Sequence, residues 1–269
     1  MINLIKKIKF VLQHEGVKNL FWRGRRFFFP NITNSQIFHI HKSLFENKLA
    51  LEIGGPSLPF KHNNIFPIYE ILEGVDGCNF SINTVWEGQI VGGLGSYKYA
   101  DSLTGMQYIN EGSDLSTIPN EHFDIILSCH SLEHIANPLK DLKEWMRVLK
   151  PKGHIILILP HPNFTFDHKR PITKFDHLVK DYKNKVDESD MQCLEEVLAY
   201  HNMKRDPLGP DILVELKERS LKNYENRCLH HHVFNIDLIK DMFKFSNINF
   251  VDSEFVRPYN IITIGQKAA

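Results

Sequence analysis

The sequence predicts an α/β fold, a doubly wound and mostly parallel sheet that ends in an antiparallel hairpin. Three observations carry this. The stretch 111–160 reads as one unit: an acidic turn, a buried strand over 123–128, a crossover, an amphipathic helix and a second buried strand over 154–159. Upstream, the apolar run Leu49–Ile53 enters Gly54, Gly55 and Pro56, where a turn is forced. Downstream, apolar runs at 250–256 and 261–265 follow a helical stretch at 236–245, which makes a closing hairpin.

Taken in order, residues 3–13 set Leu4, Ile5, Ile8, Val11 and Leu12 at helical spacing. The first thirty residues carry Lys6, Lys7, Lys9, Lys18, Arg23, Arg25 and Arg26 against the single acid Glu15. This basic amphipathic extension, 1–46, suits a membrane surface or a partner, or a helix packed on its own domain or on a second subunit. The main domain, 47–269, opens with the strand at 49–53. A second strand over 69–75 ends at Asp76, and a third at 107–109 leads to Asp114, across a glycine-rich loop from 78 to 104. With the strands at 123–128, 154–159, 250–256 and 261–265 the expected sheet has seven members, joined by right-handed crossovers where they run parallel. Residues 161–232 read as a cap inserted beside the site: a histidine-laden loop, then helices over 187–201 and 212–226.

At 269 residues and 42% hydrophobic content, the chain can bury one α/β core with additions. Cys78, Cys129, Cys193 and Cys228 form no CxxC pair, which points to a reducing, cytoplasmic compartment, with residues 1–30 free to touch the inner membrane face. The longest apolar runs are strand-length, too short to span a bilayer. Zero net charge argues against nucleic acid as a partner and leaves a small molecule.

In an open parallel sheet, ligands lie beyond the carboxyl ends of the strands, where Asp114, Cys129, His130 and His161 gather. The EIGGPS turn, the Asp-Leu pair at 114 and 115 before Phe123-Asp124, and the run SxxxLEHIxNPxxxLxExxRVLKPxG over 128–153 together resemble the class I S-adenosylmethionine-dependent methyltransferases, particularly the type 11 group. The resemblance implies a Rossmann-like sheet and S-adenosylmethionine as cofactor, released as S-adenosylhomocysteine. It also implies that Glu52 and the turn at Gly54, Gly55 and Pro56 face the methionine end, that Asp76 accepts from the ribose hydroxyls and that Asp114 accepts from the adenine amine. On the same resemblance Leu115 offers its backbone amide to the ring, and Cys129 and His130 line the methionine side. Pro56 stands where the family has its second glycine, so the turn departs from the pattern. The GGPS turn, FDH loop and CLHHHVF segment are similar to methyltransferases of bacterial surface-glycan assembly, which implies O-methylation of a sugar or a phosphate-linked group.

An attacking hydroxyl needs its proton removed as the bond forms. His161, directly after the fifth strand, His168 beside Asp167, His177 beside Asp176, and His230 and His232 are the candidate bases. Glu133 and His134 are expected to start the helix after the fourth strand, His134 as a base or a structural residue. The histidines match no standard zinc spacing and no metal is assigned; on a strand only His230 and His232 would share a face. Lys169, Arg170 and Arg227 suit an anionic substrate or a solvated surface. A nicotinamide oxidoreductase would need GxGxxG after the first strand, which EIGGPSLPF lacks. A catalytically silent relative serving as a binding or scaffold subunit is the standing alternative.

Overall fold

The computed structural model describes residues 35–269 apart from 207, 208 and 211. The helix expected over 3–13 and the basic patch lie outside the described residues. Helix α1, Gln36–His41, is capped by Ser35, whose hydroxyl accepts from the Phe38 amide at 3.1 Å. It lays Ile37 and Phe38 under the sheet.

Ten strands follow: β1 Leu49–Ile53, β2 Gly74–Asn79, β3 Asn83–Thr84, β4 Gly88–Gln89, β5 Gly93–Lys98, β6 Thr104–Ile109, β7 Phe123–Cys129, β8 Leu149–Pro160, β9 Ile248–Val256 and β10 Asn260–Lys267. Eight of them form one sheet in the order β5-β6-β2-β1-β7-β8-β10-β9, and β3 and β4 form a separate ribbon. Strands β6, β2, β1, β7 and β8 are parallel, while β5 and β10 run against their neighbours. The sheet is thus the expected doubly wound one, with β5 added at its edge. The strand order reverses at β1, which pairs with β2 on one side and β7 on the other.

The second strand lies five residues later than expected, because Tyr69–Ile71 is a 3-10 turn and pairing with β1 begins at Gly74. The apolar run at 69–72 turns inward to cover the sheet rather than joining it. Gly77 explains why the true strand looks weak in sequence. Its missing side chain is where the Tyr97 ring of β5 lies, since a Cβ there would sit 2.1 Å from the ring.

The two faces of the sheet are covered differently. One face packs against α2, Pro138–Val148, and α7, Ile236–Phe245, through Leu139, Leu142, Trp145, Ile239 and Met242. Asn137 caps α2 by accepting from Lys140 N at 3.2 Å. Accordingly Glu133 and His134 belong to a separate 3-10 turn, Leu132–His134, and do not begin the helix. The other face carries an aromatic layer of Phe38, Phe45, Phe60, Phe66, Tyr69, Tyr97 and Tyr99. Between β1 and β2 the chain makes only two 3-10 turns, so the aromatic rings take the place of a crossover helix.

The cap holds α3 Phe175–Asn184, α4 Leu194–Tyr200, α5 Leu213–Leu221 and α6 Asn223–Asn226. The segment expected as loop forms α3, with Phe175, Leu178, Val179 and Tyr182 at helical spacing packed on the core. The helix expected over 187–201 is confined to α4, and the one over 212–226 divides into α5 and α6 at Lys222. Among the described residues no helix is long and apolar enough to cross a membrane.

Candidate functional site

The carboxyl ends of β1, β2, β6, β7 and β8 bring Gly54, Asn79, Asn110, His130 and His161 to one edge of the sheet. Gly54 takes a left-handed φ of 79° and a Cβ there would lie 2.7 Å from Ser131 Oγ, so any other residue is strained there. The turn therefore presses directly against the loop that follows β7. Asn79 ties it to β2 by donating to the Gly55 carbonyl at 3.0 Å.

Beneath the turn lies Glu52, fully buried on the aromatic face. It accepts from the Tyr69 hydroxyl, from the Tyr97 hydroxyl at 2.5 Å and from the Ser57 amide at 3.1 Å. Burial raises its pKa, and the hydrogen bonds from Ser57 and the two tyrosines oppose that rise only in part. Gly55 leaves room for this arrangement, because a Cβ on it would meet the Glu52 carboxyl at 2.2 Å. Glu52 thus braces the turn from below. Cys129 is buried on the same face, and burial pushes its thiol well up.

Asp76 does not end β2. It is the third residue of the strand, paired with Leu51, and its Oδ1 accepts from Met106 N at 2.8 Å. Strand β2 closes on Cys78 and Asn79, without a carboxylate. Asp114 is exposed in the turn after β6, where its bonds from Ser116 hold its carboxyl below the usual range. The Leu115 amide is already taken, since it donates to Glu144 Oε1 at 2.9 Å. That carboxylate is itself gripped by Arg147 at 2.7 Å.

His130 adopts φ 49° and its Nε2 meets Asn260 Oδ1 at 2.9 Å. Its Nδ1 lies 3.5 Å from Glu133. Burial works against a charge on this ring, but the bonds to Glu133 and Asn260 prevail and raise its pKa. His161 caps the 3-10 turn Pro162–Phe164, accepting at Nδ1 from Asn163 N at 3.3 Å, and packs between Phe164 and Phe255. With Nδ1 in use as an acceptor, the neutral ring carries its proton on the other nitrogen, which is a poor arrangement for a base.

The sequence pairs Asp167 with His168 and Asp176 with His177, but neither adjacency is the contact. Asp167 meets His230 Nδ1 at 2.6 Å, and His177 lies 3.3 Å from Asp181. The Asp167 carboxyl is held far below its usual range: burial opposes this, but the bond to His230 and the adjacent Arg170 guanidinium overcome it. His168 Nδ1 is buried without a partner, and burial lowers its pKa. Residues 227–235 form no strand, so His230 and His232 share no strand face. His232 instead donates to the Ala136 carbonyl at 3.0 Å. Burial drives His134, His231 and His232 down to about 3 each, so all three are neutral near pH 7.

The arginines fasten the cap. Arg170, 5% exposed, donates to Asp167, Glu196, and the His230 and His231 carbonyls, all within 3.3 Å. Arg227 reaches across to Glu111 at 2.6 Å and lies over the Phe80 ring. They therefore tie the cap to the strand ends, and the anionic-substrate role foreseen for them has no free guanidinium to use. What sequence reasoning missed is the convergence of Glu133, His134 and His230, which come from two segments about a hundred residues apart.

Residues 97–157 match the family model described as a methyltransferase domain. No curated protein matches the chain. Among solved structures, the chain is similar to the Burkholderia thailandensis 1,6-didemethyltoxoflavin-N1-methyltransferase, solved with S-adenosylhomocysteine, at 12% identity and TM-score 0.49 over 92% of this chain and 83% of that one. A SAM-dependent methyltransferase from Mesorhizobium loti matches at 11% identity and TM-score 0.49, covering 85% and 96%. One from Aquifex aeolicus matches at 12% identity and TM-score 0.44, covering 87% and 90%.

Proposed function

We propose that the chain is an S-adenosylmethionine-dependent methyltransferase. The observation that carries the reading is the left-handed Gly54 turn, set at the point where the strand order of a parallel sheet reverses, in the same sheet as strands of the segment 97–157 that matches a methyltransferase-domain model. Gly54, Gly55 and Pro56 admit the nucleoside by close backbone approach, and His130 borders the methionine end. Asp114, exposed and ionised, accepts from the adenine amine. Asp76 and the Leu115 amide are left out of the cofactor set, because both are engaged within the fold.

The acceptor is a hydroxyl of a sugar or of a phosphate-linked group on a glycan precursor, a reading that rests on the resemblance of the GGPS, FDH and CLHHHVF segments. Proton removal is assigned to the group around His230, the imidazole that a carboxylate fixes at Nδ1. The caged Glu52 and the occupied Leu115 amide favour one other reading, a silent relative that keeps the fold as a binding subunit.

Calorimetry separates the two. The enzyme binds S-adenosylmethionine and S-adenosylhomocysteine, and Asp114→Ala weakens both about tenfold to a hundredfold, the worth of a hydrogen bond to a charged group. No binding of either by the folded wild-type chain overturns the methyltransferase reading. Unchanged affinity in Asp114→Ala removes the adenine contact alone.

A further inference from the structure

Glu133 and His134 leave the end of β7 in one 3-10 turn, and His230 reaches them from the segment between α6 and α7. One potential ligand atom from each lies within 4.8 Å of the other two. Glu133 is 1% exposed, and its Oε2 is buried with no hydrogen-bond partner; the same holds for His134 Nδ1. The other ring nitrogen of His134 is occupied by a backbone bond to Leu229. An orphaned carboxylate oxygen and an orphaned ring nitrogen in the interior are costly unless something binds them.

The surroundings are those of a ligand set held in place from behind. Asp167 takes His230 Nδ1 at 2.6 Å, which leaves Nε2 as the donor atom, and Arg170 holds Asp167 at 3.0 Å. A carboxylate behind a ligating imidazole is the usual way a protein fixes its orientation and basicity toward a metal. Glu133 Oε1 is steadied from the other side by His130. The Trp86 ring, 5.1 Å from that of His134, covers the group on its outer side.

We propose that Glu133, His134 and His230 hold one divalent first-row cation, of which Zn2+ is the representative. Two imidazoles and one carboxylate are a sufficient donor set for such an ion. Bonds of about 2.0–2.2 Å would draw the donor atoms to roughly 3.3 Å apart, so the side chains close slightly on binding. Three protein ligands leave a fourth position for water or an acceptor oxygen, and an oxygen bound there loses its proton more readily. The cation site stands without the methyl-transfer reading, whereas its use in proton removal rests on that reading. A second group, His177, Asp181 and His232, is also within 4.8 Å, but His177 and Asp181 are already paired with each other. It serves as the control.

The test is Zn2+ binding by the full chain, purified without a histidine tag and stripped with chelator, measured by competition with a chromophoric chelator and by thermal melting. One equivalent should bind and raise the melting temperature. His134→Ala and His230→Ala should each weaken binding a hundredfold or more, and Asp167→Asn about tenfold to a hundredfold. His177→Ala should bind as wild type. If the histidine variants do not fold, Glu133→Gln, which keeps the shape, decides by the same loss. X-ray absorption of the Zn2+-loaded wild type should count two imidazoles. The proposal is overturned by no saturable binding to the folded wild type, as a water-bridged cluster would give. It is equally overturned by wild-type affinity in folded His134→Ala, His230→Ala or Glu133→Gln, or by loss in His177→Ala with the others unaffected. Calorimetry with S-adenosylmethionine is read separately, so failure of the cation site leaves the cofactor question intact.

Discussion

Glu52, under the glycine turn, and Asp167, in the cap, are both enclosed carboxylates, yet their acidities are displaced in opposite directions. Glu52 is surrounded by neutral donors, the hydroxyls of Tyr69 and Tyr97 and the Ser57 amide. Asp167 faces Arg170 and His230. Hydrogen bonds alone do not repay the desolvation of a carboxylate, whereas an adjacent guanidinium does. The turn therefore rests on a tightly packed floor of neutral donors. The cap is built as a charged network whose integrity depends on every partner staying in its charge state.

The largest expected effect is on the cap, in acid. His134, His231 and His232 titrate near 3 in the folded chain, against 6.5 when unperturbed. The unfolded chain binds more protons between those values, so their contribution is complete above pH 6.5 and is lost as pH falls toward 3. Asp167, depressed below its ordinary 3.8, adds a further loss only at still lower pH. Glu52 has the opposite sign: with its folded value raised, its contribution declines as pH rises past 4.5. Chemical melts from pH 8 to 4, followed by tryptophan fluorescence and by proteolysis within 161–232, should show the cap loosening first. Equal loosening of the whole chain would break the comparison.

Next in size, Arg170→Ala should cost about 3–5 kcal/mol, because it strips the partner from a buried carboxylate. Urea titration measures it, and a loss under 1 kcal/mol would show that Asp167 is adequately held by His230. Gly54→Ala should cost about 1–2 kcal/mol from its left-handed backbone, with more if Ser131 cannot move, and should also weaken cofactor binding. The smallest effect belongs to Glu52→Gln, at about 1 kcal/mol or less, since a neutral side chain of the same shape stays among the same neutral donors and no ion pair is broken. A loss as large as that of Arg170→Ala would mean that the turn also rests on a charge.

Legibility follows the range of the interactions. The strands β1, β7 and β8, helices α2 and α7 and the closing hairpin were readable because each buries a regular apolar pattern. The second strand was misplaced because its glycines, of which Gly77 accommodates Tyr97, carry no hydrophobic signal, while the apolar run at 69–72 does. Within the site, the Gly54 turn and the positions of His130 and His161 at strand ends were legible from spacing. Asp76 was not, since a shift of the strand moved it from the edge to the middle. The Asp-His neighbours misled for a related reason: Asp167 finds His230, 63 residues away, only once the cap has folded.

The amino-acid order by itself determined a mostly parallel, doubly wound sheet and the glycine bend after its first strand, because backbone conformation and burial period are local properties. Only the tertiary structure decided which charges meet. It enclosed Glu52 among tyrosines, set Arg170 against Asp167, and brought Glu133 and His134 to His230. Side chains distant in sequence become neighbours only when the cap closes on the sheet, and electrostatics in a desolvated interior then fixes what each of them can do.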